Sequence, residues 1–478
     1  MWRILSIAFA LLVPFTLSYS DTALLKSAYN KEFESILKVQ KSKAQQTKYV
    51  TSFNLFQGQL VDHFDPLNTK TWKQNYFVHS PYSGNPSDVP LVMVGGEGPT
   101  GDQYGFFEEL VSSTEYNPVG FTLAHRYYQG GPGENPTDDF DPARDSQLLS
   151  SKQAIADMAY FIQKVVMEEH GFTKPPIIFG CSYPGSLTIW MREKFPHLST
   201  GGIALSGPIR AFDNFHQYLE MGEKDIKDFY PQCYPVFVSA KKTLFLAAKN
   251  HPSEFAKQLN LCTDTGFSNW EQIFVIGWRS VSDDIAISLG QGGYGGGVKQ
   301  LCDEIKKSGP FATLRAQLGL SAQGRCTDPA EVVRTRDTTP QQLEQSYPNW
   351  FWQKCSEFGW FKTHSNDSLL MFYPLEEYHQ VCNKDFKVPT DSLEALINET
   401  NVYYGGTDVQ SLSNLLVLNG ADDPWSVPSV PALPNTDYSG VVSKLIPKGH
   451  HCTLIDGASF STEAKQYAKE ALNVWLKK

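Results

Sequence analysis

Short apolar runs that end in glycine-rich or polar turns recur toward both ends of the chain. Runs of this kind are typical of strands buried on both faces of a parallel sheet. Helical patterns lie between them, and the clearest spans 151–170, where Gly171 can end the helix. Further helices are expected after Ser182 and over 462–476. This alternation predicts a mainly parallel α/β sheet, with strands over 90–94, 120–123, 176–179, 203–205, 415–418 and 441–446.

The pattern changes over 208–404, where strand-like runs are rare and aromatic residues and mixed helical stretches dominate. We interpret this segment as a largely helical insertion between two parts of one α/β domain, 40–207 and 405–478. Ligands of open α/β sheets bind beyond the carboxyl ends of the strands, so the insertion is expected to cap that end. Six of the 8 cysteines lie in the insertion and are expected to brace it: Cys233, Cys262, Cys302, Cys326, Cys355 and Cys382.

The first residues indicate export. Residues 1–20 carry a basic Arg3, an apolar run and small or polar residues, as a signal peptide does. The apolar run is shorter than the roughly 20 residues that span a bilayer, and no later candidate follows, so no membrane segment is expected. Disulfides and the sequons at Asn366 and Asn398 fit a secreted or lysosomal protein.

The overall charge argues against a nucleic-acid partner. The net charge is −10, whereas nucleic-acid binding normally requires a concentrated basic face. The glycine-rich stretch 290–295 matches a dinucleotide-binding pattern, but it lies outside any βαβ unit, and we interpret it as a loop. No metal site and no cofactor are expected.

The strongest chemical signal surrounds Ser182, in the sequence Gly-Cys-Ser-Tyr-Pro-Gly over 180–185. A sharp turn from strand to helix exposes a serine nucleophile and aims backbone N–H groups at a developing oxyanion. Pro184 stands where the G-x-S-x-G pattern has its second glycine, and Gly185 comes one place late. The alternative is an ordinary connection between a strand and a helix.

Acidic residues and histidines follow the two late strands. Asp422 and Asp423 come after 415–418, and His450 and His451 come after 441–446. The order nucleophile, acid, base is that of α/β-hydrolases. In such a triad Asp423 orients the imidazole and His451 takes the serine proton. The alternative is a solvated turn and two loop histidines.

A turn after the first predicted strand can supply the second oxyanion donor. It has the sequence Gly-Gly-Glu-Gly over 95–98. Backbone N–H groups of Gly96 and Glu97, with that of Tyr183, can bind a tetrahedral oxyanion. The alternative is a simple tight turn.

Together these motifs resemble the family of prolyl carboxypeptidase, dipeptidyl peptidase II and thymus-specific serine protease, and most of all its thymus-specific branch. The matching segments are 62–64, 95–98, 125–128, 149–157, 180–187, 194–198, 353–359, 419–425 and 451–452.

The resemblance implies an α/β-hydrolase domain interrupted by a helical domain, and cleavage of peptides, often after proline. It implies Ser182 as nucleophile, Asp423 as acid and His451 as base, with His450 as the fallback. It also implies a disulfide between Cys355 and Cys382, and makes a homodimer plausible.

Four positions depart from the family pattern. Ala124 replaces a glutamate, Gln129 a glycine and Leu454 an aspartate, and Cys181 stands where glycine is usual. The lost carboxylates remove polar contacts that can orient the site or the substrate. Cys181 and Cys452 flank residues that must meet, so they form either a disulfide or two buried thiols.

We therefore expect a secreted or lysosomal serine peptidase that acts through an acyl-enzyme. The cap favours short or unstructured peptides, as for an exopeptidase. The sequence does not show whether the enzyme recognises the amino or the carboxyl terminus of its substrate. One alternative is an esterase or lipase with the same triad, because a fold does not fix a substrate. Another is a secreted binding protein that has lost efficient catalysis.

Overall fold

A computed structural model provides the structure of the protein. The predicted signal peptide, Asn366, the stretch 290–295 and Leu454 lie outside the residues that it describes. The described residues are 49–81, 87–98, 104–129, 133–137, 141–286, 289, 296–336, 348–365, 368–452, 455–456 and 459–477.

An eight-stranded sheet forms the centre of the molecule. The strands among the described residues are β1 (Tyr49–Leu60), β2 (Thr71–Pro81), β3 (Leu91–Val94), β4 (Gly120–Leu123), β5 (Ile177–Cys181), β6 (Gly201–Leu205), β7 (Phe212–Asn214), β8 (Gly359–Phe361), β9 (Leu415–Gly420), β10 (Val441–Ile446), β11 (Ile455–Asp456) and β12 (Ser459–Phe460). The order in the central sheet is β1-β2-β4-β3-β5-β6-β9-β10. All neighbours from β4 to β10 are parallel, as expected for an α/β-hydrolase sheet.

Each of the six predicted strands is present, whereas the pair β1 and β2 was not foreseen. This pair is antiparallel, and β2 joins β4, also antiparallel, at one end of the sheet. Several residues in the first half of β1 are exposed. Because a strand with one solvated face carries no continuous apolar run, its sequence lacks the signal that marks the other strands.

The chain leaves the sheet after β6 and returns in β9, the neighbour of β6. Between them lie helices and a two-stranded parallel sheet of β7 and β8. Cys233–Cys302, Cys262–Cys326 and Cys355–Cys382 are bonded within this insertion. The helical segments in its described residues are Gln217–Phe229, Tyr234–Asn250, Pro252–Leu259, Trp270–Ala286, Gly296–Ser308, Pro310–Gln317, Pro329–Arg336, Pro348–Gln353, Lys354–Phe358, Leu375–Lys384, Thr390–Ser392 and Leu393–Tyr404.

The long helix predicted over 151–170 is α-helical over Ser151–Phe161 and continues as a π-helix over Ile162–Glu169. The Ser150 hydroxyl caps its start by accepting from the Gln153 N–H. Gly171 follows with φ of +75°. Outside the insertion the other helical segments that the structure describes are Tyr104–Leu110, Pro142–Asp145, Tyr183–Lys194, Pro196–Leu198, Pro424–Ser426 and Thr462–Trp475.

One hydrophobic core joins the sheet to the insertion. It contains Ile178 of β5 and Trp190 of the following helix, together with Phe237 and Trp278 of the insertion. Trp190 stacks on Tyr404, with ring centroids 4.1 Å apart. The insertion is therefore packed firmly against the sheet. No helix in the described parts of the chain has the length and apolar character that crossing a membrane requires.

Candidate active site

Ser182 lies at a sharp turn between β5 and the helix Tyr183–Lys194. Its φ is 64° and its ψ is −134°, a region that costs free energy for any residue with a Cβ. The Ser182 N–H donates to the Leu205 carbonyl at 3.0 Å, which ties the turn to the end of β6. The turn therefore exposes the hydroxyl at the carboxyl ends of the parallel strands.

Two glycines make this turn sterically possible. A Cβ on Gly180 would lie 2.2 Å from the Pro184 carbonyl oxygen, and a Cβ on Gly185 would lie 2.7 Å from the Leu205 carbonyl oxygen. Pro184 stands in the first turn of the helix, where its missing N–H costs nothing. The position after Tyr183 thus tolerates proline, and the close approach to β6 requires glycine one place later.

The structure brings Ser182, His451 and Asp423 together. His451 Nε2 lies 2.8 Å from Ser182 Oγ. On the other side of the ring, Nδ1 lies 3.0 and 3.1 Å from the two carboxylate oxygens of Asp423. Asp423 is fully buried, and its Oδ1 also accepts from the Trp425 N–H at 2.9 Å. The carboxylate is therefore held in place before any substrate arrives.

The neighbouring Asp422 and His450 form a different cluster. Lys224 Nζ donates to Asp422 Oδ1 at 3.1 Å. Asp225 is fully buried beside them, and burial, followed by the charge of Asp422, raises its pKa to about 8. Burial also lowers the pKa of His450. His450, the fallback base, lies beside Phe229 of the insertion, whereas His451 contacts both Ser182 and Asp423.

The predicted oxyanion donors lie beside this triad. The Gly95 N–H already donates to the Leu123 carbonyl at 2.7 Å. Gly96, the next residue, packs on the ring of Pro184, where an added Cβ would lie 2.9 Å from Cδ. Tyr183 opens the helix, and the first N–H groups of a helix have no intrahelical acceptor. The glycine turn and the helix start therefore meet next to Ser182, with Glu97 half-buried in the same turn.

The Tyr183 side chain enters a buried polar network that the sequence did not reveal. Its hydroxyl lies 3.0 Å from His125 Nε2 and 3.1 Å from Gln353 Nε2. Burial lowers the pKa of His125 to about 4, so the ring is neutral. Its Nδ1 lies 2.7 Å from the Arg126 carbonyl, which only accepts, so Nδ1 carries the proton. Hence Nε2 accepts from Tyr183, and Gln353 donates to the same hydroxyl.

Glu357 of the insertion extends this network toward the sheet. Its carboxylate accepts from the Ser151 N–H at 2.9 Å, from the Ser151 hydroxyl at 2.6 Å and from Gln353 at 3.1 Å. Burial raises the pKa of Glu357. The Tyr404 hydroxyl donates to Ser151 Oγ at 3.0 Å. The 353–359 motif thus fixes the residue that follows Ser182.

A disulfide joins Cys181 to Cys452, with the Cα atoms 5.6 Å apart. Of the two alternatives that the sequence left open, the structure contains the covalent one. Cys355 is bonded to Cys382, the pair that the resemblance implies.

Two departures from the family pattern lie beside β2. The Ala124 methyl group is buried, and the Ala124 backbone carbonyl accepts from Gln74 Nε2 at 2.7 Å. Gln129 accepts from the Asn75 N–H and donates to the Lys73 carbonyl, each at 2.9 Å. The added amide of Gln129 therefore binds the edge of β2.

The remaining site predictions concern the surface. Asn398 is exposed on the helix Leu393–Tyr404, whereas Thr400 of the same sequon is buried. Among the described residues, no group of three or more His, Cys, Asp or Glu side chains is arranged to hold a metal ion.

Comparison with known proteins agrees with this geometry. The family model of serine carboxypeptidase S28 matches residues 59–469. The thymus-specific serine protease of Mus musculus is 28% identical over 83% of this chain and 82% of its own length. The lysosomal Pro-X carboxypeptidase of Mus musculus is 27% identical over 78% of each chain. The chain belongs to the serine carboxypeptidase S28 family and is a serine peptidase.

Proposed function

We propose that the enzyme hydrolyses peptides through an acyl-enzyme on Ser182, with His451 as base and Asp423 as the orienting acid. The hydrogen-bonded path from Ser182 Oγ through the imidazole to the buried carboxylate supports this assignment. His451 Nε2 takes the serine proton as Oγ attacks the peptide carbonyl. Asp423 holds Nδ1–H in place and stabilises the imidazolium that forms.

The oxyanion of the tetrahedral intermediate is bound by backbone N–H groups of Tyr183 and the 95–98 turn. A single donor of this kind lowers the barrier by roughly 3 kcal/mol. The imidazolium then returns its proton to the leaving amine, and the C–N bond breaks. Water, deprotonated by His451, attacks the acyl-enzyme and releases the second product.

A preference for cleavage after proline is part of the proposal. One relative bears the name Pro-X carboxypeptidase, and aromatic rings lie next to the base. The Trp425 ring centroid is 6.0 Å from that of His451, and Trp360 packs edge-on against Trp425 at 5.6 Å. Both tryptophan rings are buried, so they form the apolar wall behind His451, and the name of the relative is what supports the proline preference.

We further propose that residues 208–404 act as a cap that restricts the site to short peptides, as in an exopeptidase. The cap contacts the triad loop directly, because Trp425 also packs against Phe215 at 5.2 Å. A secreted or lysosomal location accords with four disulfides, which persist in oxidising compartments. Glycosylation at Asn366 and Asn398 and a homodimer belong to the same proposal.

Fluorophosphonate labelling of the purified protein tests the mechanism. The wild type should be labelled at Ser182, and Ser182→Ala and His451→Ala should abolish labelling. His450→Gln is the matched control, because it alters the adjacent histidine outside the triad, and it should be labelled normally. A folded wild type that resists the reagent would reject the peptidase mechanism.

Peptide pairs then test the specificity. Peptides with proline or alanine before the scissile bond should differ in kcat/KM in favour of proline. Blocking either the amino or the carboxyl terminus identifies the end that is recognised. Equal kcat/KM for the proline and the alanine peptide would contradict the preference for proline. Cleavage of blocked peptides at internal bonds only would contradict the assignment as an exopeptidase.

A further inference from the structure

The Cys181–Cys452 disulfide occupies an unusual place in the active site. One cysteine directly precedes Ser182 and the other directly follows His451, although 271 residues separate them along the chain. The other three disulfides lie within the insertion. This bond alone among the four adjoins both members of the pair that must exchange a proton.

The loop before His451 is held by backbone contacts. The Gly449 carbonyl accepts from the Asp422 N–H at 3.0 Å, and the Gly449 N–H donates to the Ile446 carbonyl at 3.1 Å. The Gly449 carbonyl also packs closely on Gly420, where an added Cβ would lie 2.2 Å from the Gly449 carbonyl oxygen. The loop is therefore fixed up to the residue before His450.

Cys452, the residue directly after His451, is tied to the sheet by a hydrogen bond and by the disulfide. The Cys452 N–H donates to the Ser206 hydroxyl at 3.1 Å, and the disulfide follows. Cys452 has a φ of 58°, a left-handed conformation that residues with a Cβ adopt only when their surroundings impose it. The bond to Cys181 supplies this constraint, and it anchors Cys452 to the end of β5.

The disulfide is also accessible to small thiols. Cys181 and Cys452 are partly exposed, whereas the bonded cysteines Cys302, Cys355 and Cys382 are fully buried. Among the bonds of the insertion, Cys262–Cys326 is the exposed one. It lies outside the triad and therefore provides a matched control.

We propose that the Cys181–Cys452 disulfide is the positioning element that holds the His451 imidazole against Ser182, and that its reduction by thiols switches the enzyme off. This inference rests on the proposed roles of Ser182 and His451. A thiolate attacks one sulfur and displaces the other cysteine as a thiolate, which takes a proton from water. A second thiol resolves the mixed disulfide, so two protein thiols form as two reagent thiols are oxidised.

The double variant Cys181→Ser/Cys452→Ser tests the positioning role, with Cys262→Ser/Cys326→Ser as control. Both are assayed at a temperature at which circular dichroism shows them folded. We expect kcat and the fluorophosphonate labelling rate of the first variant to fall about 100-fold, because small misplacements of catalytic groups cost this much. Its KM should change little, and the control should keep wild-type kcat. A first variant with wild-type kcat, or an equal loss in the control, would overturn the proposal.

Chemical reduction tests the switch without relying on the folding of that variant. The Cys262→Ser/Cys326→Ser protein is titrated with dithiothreitol and labelled, and its thiols are then trapped by alkylation and mapped by mass spectrometry. Labelling of Ser182 should fall in step with alkylation at Cys181 and Cys452 and return on reoxidation. Equal labelling before and after complete reduction of this bond would overturn both the switch and the positioning role, and would leave the catalytic mechanism intact. No labelling of the oxidised wild type would overturn the catalytic mechanism, and the switch with it.

Discussion

Two aspartate–histidine pairs lie side by side in this molecule, and they differ completely in their contacts. Asp423 and His451 bind each other and Ser182. Asp422 binds Lys224 of the insertion instead, and the His450 ring packs beside Phe229, with centroids 6.3 Å apart. A shift of one residue along each loop therefore separates the pair that contacts Ser182 from the pair that faces the insertion. In the proposed mechanism only the pair that contacts Ser182 takes part in catalysis.

The largest difference between the pairs is expected from exchanging each carboxylate for an amide. Asp423→Asn removes the charge that stabilises the imidazolium and favours the wrong tautomer, so kcat should fall by about 10⁴. Asp422→Asn, the matched control, should keep kcat within about tenfold, because it touches only the cluster near Lys224. Steady-state kinetics on one peptide checks both. Similar losses in the two variants would remove the distinction between the pairs.

The cluster around Asp422 should be distinguished by its effect on stability, which acts through the buried Asp225 beside it. In the folded protein Asp225 has a pKa of about 8, raised from 3.8 by burial and by Asp422. The folded state then binds one proton more than the unfolded state between these values. The free energy of unfolding therefore falls as pH rises from about 4 to 8. The stabilising contribution of the protonated Asp225 is fully present near pH 4 and is lost toward pH 8.

The variant Asp225→Asn should abolish this pH dependence. It should match the wild type near pH 4 and exceed it by roughly 5 kcal/mol near pH 8, because an amide has no charge to bury. Urea unfolding at both pH values measures the difference. Asp228→Asn, at an exposed carboxylate that contacts the same Lys224, should show no such gain. Parallel pH curves for wild type and Asp225→Asn would refute this account.

A smaller effect, on stability, is expected from removing the hydroxyl of Tyr183, whose backbone and side chain serve different parts of the site. In the proposed mechanism the Tyr183 N–H donates to the oxyanion, while the Tyr183 hydroxyl donates to His125 and accepts from Gln353. Tyr183→Phe leaves the buried His125 Nε2 without this donor and removes one of the two acceptors of the Gln353 amide. It should cost about 2 kcal/mol of unfolding free energy.

The kcat of Tyr183→Phe should stay near the wild-type value, because the backbone donor remains. Tyr403→Phe provides the comparison, since Tyr403 is partly exposed and contacts Lys194 through its ring. A large fall in kcat with unchanged stability would show that the Tyr183 hydroxyl acts in catalysis.

Much of the sheet could be predicted because its strands carry continuous apolar runs. The meeting of Ser182, Asp423 and His451 could be predicted because these residues follow three of the strands at the same edge of the sheet. The pair β1 and β2 escaped, since a half-solvated antiparallel strand has a weaker pattern.

The contacts around Tyr183 escaped for another reason. They join residues far apart in the sequence, such as Tyr183 and Gln353, and single-residue patterns carry no information on such pairs. The sequence also could not decide whether Cys181 and Cys452 form a disulfide, because the resemblance gives glycine at one of the two positions.

The covalent link at the active site also has a consequence for a cleaved form of the enzyme. Any single backbone cut between Ser182 and His451 leaves two pieces, one with the nucleophile and one with the base. The Cys181–Cys452 bond keeps them in one molecule. A protease that nicks the insertion would therefore yield a two-chain species that migrates as intact protein until it is reduced, and that still carries an assembled triad.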